Sequence, residues 1–289
     1  MKIKAVVDFL NFSLPESRKP FFRKTFLWIL RTSIEKASKE QGLQSIAAEL
    51  TRIVPNIKNQ YSTFEIDNPY LNAKVRSQHA FQISLVNEII GEFDKPTIVD
   101  IGDSAGTHLQ YLLGLYSKNK KVHCLSVNLD AQAVEKIKQK GIDAIHAKAE
   151  ALHKYNIDAD IFLCFEMIEH LMNPCQFLHE LATKTSAKYI VITVPYLRNS
   201  RVGLHHIKRG EVRDVYAENT HIFELCPKDW KLLVRHSGWN VAQERVYLQY
   251  PKRDLLFITK PLWRRFDFEG FFGMIITKDD NWSSKYMDW

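Results

Sequence analysis

Hydrophobic residues fall into two regimes along this chain. Through the first quarter they recur at three- and four-residue spacing, as Phe22, Phe26, Ile29, Leu30, Ile34 and Ala37, then Leu43, Ile46, Ala47, Leu50 and Ile53, which is the period of one helix face. The pattern predicts two helices, the second ended by Pro55. A polar stretch from Asn56 to Asn68 follows, and then a third amphipathic helix from about residue 72 to 92. From Lys95 onward short β-rich runs alternate with helical ones. TIVDIG (97–102) precedes THLQYLLGLY, VHCLSV (122–127) precedes AQAVEKIKQK, and DIFLCF (160–165) precedes QFLHELATK. KYIVITV (188–194) is followed by a long loop and DWKLLVRHSG. Gly141 and Gly238 act as helix stops. Parallel neighbours need a crossover connection, so this alternation predicts βαβ units on a parallel sheet. The last runs, WNVAQERVYL and GFFGMIIT, are expected to pair antiparallel at one sheet edge with no helix between them.

Composition narrows the class without choosing a function. The 289 residues are 45% hydrophobic and 25% charged, which suits a globular protein and excludes a collagenous, low-complexity or disordered chain. No apolar run approaches the roughly 18 residues of a membrane span. The start, MKIKAVVDFLNFSLPES, is broken by Asp8 and reads poorly as a secretory signal. Cys124, Cys164, Cys175 and Cys226 form no C-x-x-C pair, which argues against a zinc ribbon or disulfide framework and for a cytoplasmic protein with reduced thiols. The excess of 40 Lys+Arg over 33 Asp+Glu, net +7, would serve nucleic acid, an anionic membrane surface or an anionic substrate equally well.

Ligands of a doubly wound sheet lie beyond the carboxyl ends of its strands. After the first β run stands Asp100-Ile101-Gly102-Asp103-Ser104-Ala105-Gly106. Its glycines allow a tight turn and close approach of a ligand, and the next helix offers free amides. Ser104 stands where the dinucleotide fingerprint G-x-G-x-x-G needs its second glycine, so a nicotinamide enzyme is disfavoured.

These residues, in order with ADIFLCFEMIEHLMNPCQFLHEL, YIVITVP, HIFELCPKDWKLLVRHSGW and GFFGMIIT, resemble the class I S-adenosylmethionine-dependent methyltransferases, in particular the subgroup of ubiquinone-type O-methyltransferases. The resemblance covers about Lys95 to Lys278. It implies an α/β, doubly wound, mostly parallel seven-stranded sheet, here with an N-terminal helical extension. The organisation expected is 1–75 as that extension, 76–280 as the methyltransferase domain and 281–289 as a tail. It also implies S-adenosylmethionine as cofactor, with Asp100, Gly102 and Gly106 around its methionine part and Asn128 and Asp130 near the ribose. Ala149 and Glu150 fall near the adenine, and Glu166, Met167 and Ile168 beneath the sulfur. Asp103 and Ser104, also in the cofactor loop, depart from the family's usual Cys-Gly, and Lys148 from its usual acid.

The acceptor is less defined. Glu166, Glu169 and His170 have spacing i, i+3 and i+4, which places them on one face of a short helix, and His221 is the expected fourth member. Small-RNA 2′-O-methyltransferases are similar in this E-x-x-E-H plus distant His, where it can bind a divalent metal. Two carboxylates and two imidazoles suit Mg, Mn or Zn. A metal would lower the pKa of an acceptor hydroxyl and leave a histidine as base, and His205 and His206 in the long loop are further candidates for that base. Arg198, Arg201, Lys208, Arg209 and Arg213 in the same loop suggest an anionic acceptor. Trp263, Phe266, Phe268, Phe271, Phe272, Trp282, Tyr286 and Trp289 offer ring faces or cover for the sheet edge.

The expected activity is methyl transfer to oxygen, with a sugar hydroxyl of a glycan or glycan precursor favoured, as in polysaccharide biosynthesis. An anionic or lipid-linked small-molecule acceptor fits the same features. RNA 2′-hydroxyls are the rival acceptor, and an N-P-P-[YFW] amino-methylation motif is missing. A noncatalytic partner protein of the same fold is the third reading. The stretch PFFRKTFLWILRTSIEK, an apolar stripe with Arg23, Lys24, Arg31 and Lys36, allows peripheral membrane contact or packing on its own domain.

Overall fold

The computed structural model describes residues 19–61, 65–116, 121–155, 157–203, 220–266, 268–283 and 285. Three helices come first: α1 (Lys19–Glu40), α2 (Gln44–Ile53) and α3 (Pro69–Ile89). The α3 N-terminus is set by Asn68, whose side-chain oxygen accepts from the Leu71 amide at 2.9 Å, with Pro69 at the first helical position.

The α/β part then runs β1 (Thr97–Ile101), α4 (Thr107–Tyr116), β2 (His123–Asn128), α5 (Ala131–Gln139), β3 (Asp143–His146), β4 (Ile161–Phe165), α6 (Pro174–Lys184) and β5 (Tyr189–Pro195). A short hairpin, β6 (Arg201–Val202) and β7 (Phe223–Glu224), precedes α7 (Pro227–His236), β8 (Trp239–Leu248), α8 (Lys260–Phe266), β9 (Gly270–Lys278) and α9 (Asp280–Ser283). Seven strands form one sheet in the order β3-β2-β1-β4-β5-β9-β8. The first five are parallel, and β9 lies antiparallel to both β5 and β8.

The central strands read as continuous apolar runs because both their faces are covered. Along β4 the side chains alternate between two cores: Ile161, Leu163 and Phe165 join the cluster on the α3 and α4 side, while Phe162 and Cys164 join the one beneath α6 and α7. β9 approaches α3 closely at Gly273, where a Cβ would stand 2.5 Å from Leu85 Cδ1 and 2.8 Å from Phe81 Cζ. A third cluster joins Leu30 and Ile34 of α1 to Tyr70, Leu248, Tyr250 and Trp263. Among the described residues no helix is long and apolar enough to cross a membrane.

The sheet, the antiparallel pair and the three leading helices agree with expectation. One reading is corrected: the connection between β8 and β9 does contain helix, a 3-10 turn at Leu255–Thr259 running into α8. Its sequence, with Pro261 in the first turn, is too short to show a period, and it folds because Trp263 is buried against α1. β3 and the two-residue strands β6 and β7 were also not foreseen as runs.

Candidate functional site

A cavity of about 640 Å³ opens at the carboxyl ends of β1, β2 and β4. The β1–α4 loop forms its floor. Gly102 (φ 96°) and Gly106 (φ 70°) take left-handed backbone that side chains avoid. A methyl group on Gly102 would lie 2.9 Å from Met167 Cγ, so the loop and the β4 end can approach only with glycine there.

The Asp103 side chain is committed to its own loop. Its carboxylate accepts from the amides of His108 at 3.0 Å and Ala105 at 3.4 Å, capping the α4 entry with its own charge. His108, absent from the sequence reading, completes a buried trio. Its Nδ1 lies 3.1 Å from Asp100 and 3.6 Å from Asp103. Burial, then Asp103, push Asp100 up to about 6 despite the bond from His108. Burial of His108 is outweighed by Asp103, Asp100 and Glu166, so its pKa is raised. The edge of the His79 ring meets His108 at 4.9 Å, and burial, then His108 and Arg76, hold His79 well below the ordinary histidine range.

Asn128 braces the loops. Its Nδ2 donates to the Asp103 carbonyl at 3.0 Å and its Oδ1 accepts from the Asp130 amide at 2.8 Å. Asp130 in turn caps α5, accepting from Gln132 at 2.8 Å. Asn128, Asp130, Lys148, Ala149 and Glu150 all line the cavity, as do Gly102, Asp103 and Ser104. The opposite wall comes from the leading segment, Gln60 and Tyr61 from the connection between α2 and α3 and Gln78, His79 and Gln82 from α3. Gln60 is bonded to Thr107 of α4, and Gln82 Nε2 donates to Thr193 Oγ1 at 3.1 Å. Their one sequence signal is the polar cluster Gln78, His79 and Gln82 on a helix that is buried without a break from Val75 to Val86.

Glu166 follows β4 with φ 51°, the one positive φ outside glycine among the described residues, a conformation costing roughly 1–3 kcal/mol. Burial is the chief force raising its pKa, to about 8, and its Oε1 is buried without a hydrogen-bond partner. Glu169 is 1% exposed with both carboxylate oxygens unpartnered. Burial, then Glu166, hold its pKa well above the usual range.

The β6–β7 hairpin brings the distant histidine in, since the Ile222 amide donates to the Glu169 carbonyl at 2.8 Å. The rings of His170 and His221 then meet edge-on at 4.7 Å, and His221 stacks on Phe268 at 5.6 Å. Ligand atoms of Glu169, His170 and His221 lie within 4.8 Å of one another, and Glu166 is not part of that group. Nδ1 of His170 lies 3.0 Å from the Thr220 carbonyl. A carbonyl only accepts, so Nδ1 carries the proton and Nε2 of the neutral ring is an acceptor. Burial would raise Glu224, but bonds from His221 and Arg201 bring it down to about 2.

The remaining candidates divide. Arg201 pairs with Glu224, and Arg198 pairs with buried Glu269 at 3.1 Å, so each of these cations already faces a carboxylate. Trp263, Phe271 and Phe272 are core residues. His205, His206, Lys208, Arg209, Arg213, Tyr286 and Trp289 lie outside the described residues, as does the Phe266 side chain.

Sequence comparison finds no matching family model and no matching curated protein. Solved structures do match. A candidate sarcosine dimethylglycine methyltransferase from Galdieria sulphuraria superposes with TM-score 0.52 at 12% identity, covering 73% of this chain and 87% of that one. The [4+2]-cyclase SpnF superposes with TM-score 0.52 at 10% identity, covering 84% and 97%. Strand order and these matches together show the class I methyltransferase fold.

Proposed function

We propose that this chain is an S-adenosylmethionine-dependent methyltransferase acting on an oxygen acceptor, with a sugar hydroxyl of a glycan or glycan precursor as the favoured acceptor. The observation that carries the reading is the cavity itself. It joins the glycine loop after β1 to the Glu166–Met167 turn and ends at two imidazoles, His170 and His221. Fold alone does not decide chemistry, and a [4+2]-cyclase shares this one.

The residues fit the cofactor: the left-handed glycine at 102 leaves room that a Cβ would fill, and Asp103, Ser104, Asn128 and Glu150 line the cavity around it. When bound, S-adenosylmethionine supplies a methyl group made electrophilic by its sulfonium. The protein's share is then positioning and proton removal. Nε2 of His170, with its tautomer fixed by the Thr220 carbonyl, takes the proton of an incoming hydroxyl. Phe268, stacked on His221, gives that side an aromatic surface of the kind that sugar rings pack against.

Calorimetric titration with S-adenosylhomocysteine tests the cofactor pocket: one saturable site is expected in the parent and none in Gly102→Arg. Labelled methyl uptake then separates sugar nucleotides, lipid-linked sugars and short RNAs. His170→Gln is expected to lower turnover about a hundredfold or more while S-adenosylhomocysteine binding stays unchanged. Undiminished turnover would remove the base role. Failure of the parent to bind the cofactor product would favour the noncatalytic reading.

A second reading, a metal-assisted methylation that includes RNA 2′-hydroxyls, is favoured by the unpartnered oxygens of Glu169 beside two histidines. Those three residues would hold a divalent ion, which would lower the pKa of an acceptor hydroxyl. Under this reading Glu169→Gln abolishes retention of Mn or Zn by the purified protein, as measured by elemental analysis. No metal retained by the parent, and turnover unaffected by a chelator, would dismiss it.

A further inference from the structure

We infer that the face built by α1 and residues 252–265 docks this protein onto an anionic phospholipid surface. Of the eleven large apolar side chains that stand exposed among the described residues, six belong to this face, so its apolar character is concentrated rather than scattered. They are Phe21, Phe22 and Trp28 on α1, and Leu255, Phe257 and Ile258 on the turn beside it; Leu255 is 89% exposed and Ile258 77%. The two stretches are far apart in sequence and held side by side. Ser33 Oγ lies 3.0 Å from Thr259 Oγ1 and donates to the Gln249 carbonyl at 3.1 Å, and Lys36 pairs with Asp254 at 2.7 Å. The inward stripe of α1, Leu30 and Ile34, is occupied by Tyr70 and Trp263. Phe21 and Trp28 sit about half a turn away on the helix and face out.

Charge selects the occupant. Residues 19–40 hold six cations and two acids, and residues 252–265 hold five and one. Together they carry net +8 in a chain of net +7, so everything else sums to −1. Protein interfaces are depleted in lysine at their centres. Exposed aliphatic and aromatic tips ringed by Lys and Arg match the boundary of an anionic bilayer, which attracts the cations while the tips enter the acyl region.

The face also lies on the cavity's side of the sheet. β8 runs parallel to β5, so its end at Leu248 shares an edge with the ends of β1 and β4. Arg264 bonds Glu269, next to the Phe268 that stacks on His221. If the proposed activity holds, an acceptor anchored in the bilayer would reach the cavity from this side; docking itself does not rest on that activity.

Flotation of the full chain with vesicles tests this. The parent is expected to float with equal parts phosphatidylglycerol and phosphatidylcholine, not with phosphatidylcholine alone, and to be released by roughly 0.5 M salt. The double variant Leu255→Ser/Ile258→Ser changes only exposed side chains and is expected to bind at least tenfold more weakly with an unchanged melting temperature. Arg23→Gln/Lys24→Gln/Arg265→Gln is expected to reduce binding similarly. No flotation of the parent with the anionic vesicles, or equal flotation of the Leu255/Ile258 variant, would overturn the proposal. Self-association abolished by that variant, without vesicle binding, would assign the face to a second copy of the chain and overturn it too. None of these readouts involves methyl transfer, so docking and activity fail separately.

Discussion

A single carboxylate at position 103 reorganises the floor of the cavity. By capping α4 it fills the helix N-terminus that an anion would otherwise use, and with Asp100 it holds His108 in a buried trio. Asp100 at about 6, against an ordinary 3.8, binds its proton more tightly folded than unfolded. Its contribution to stability is therefore complete below 3.8 and is lost as pH rises through about 6. The melting-temperature advantage of the parent over Asp100→Asn should accordingly shrink as pH is raised from about 4 to about 7. A constant difference across that range would mean Asp100 does not titrate there. The sequence made Asp100, Gly102 and Gly106 legible because their spacing is local. It did not reveal His108, Gln78, His79 or Gln82, because their relation to the loop exists only once α3 and α4 pack against β1.

At the scale of elements, burial on both faces is what made the strands readable. β4 and β5 are wholly apolar runs or nearly so, whereas β3 has four residues with no buried member and β6 and β7 have two each. Such short strands carry no period, yet the β6–β7 hairpin is the element that brings His221 to Glu169. The expected E-x-x-E-H face was read from local helical spacing; Glu169 and His170 instead sit side by side in the 3-10 turn Ile168–His170, with ligand atoms within 4.8 Å of each other. Glu166 precedes that turn in left-handed backbone, which takes it off the common face. The seat of α3 on the sheet gives a direct test. Gly273→Ala forces a methyl group against Leu85 and Phe81 and is expected to cost about 1–3 kcal/mol in denaturant unfolding. Gly91→Ala, where a Cβ meets nothing within 4 Å, is expected to be near neutral or slightly stabilising.

Across the whole molecule, the leading helices belong to the same packed body as the sheet. α3 supplies Gln78, His79 and Gln82 to one wall of the cavity and six buried residues to one core, and α1 is fastened through Trp263, which is 1% exposed. Trp263→Ala removes the side chain shared by Leu30, Ile34 and Tyr70 and is expected to cost about 3–5 kcal/mol. Limited proteolysis should then cut within α1 before the α/β part unfolds. Simultaneous loss of both would mean that α1 has no separate opening.

β9 occupies the slot between β5 and β8 although it follows both in the chain. A nascent chain that has produced β8 therefore still exposes the outer edge of β5, and the strand that must fill it has yet to be made. Two unsatisfied strand edges, one of them on the wholly buried β5, wait side by side. If β8 paired directly with β5 it would lie parallel in the wrong place, and the later strand would have to displace it. The period of greatest risk for misassembly thus falls late in synthesis, and an agent that shields strand edges would raise the yield of folded protein most if present then.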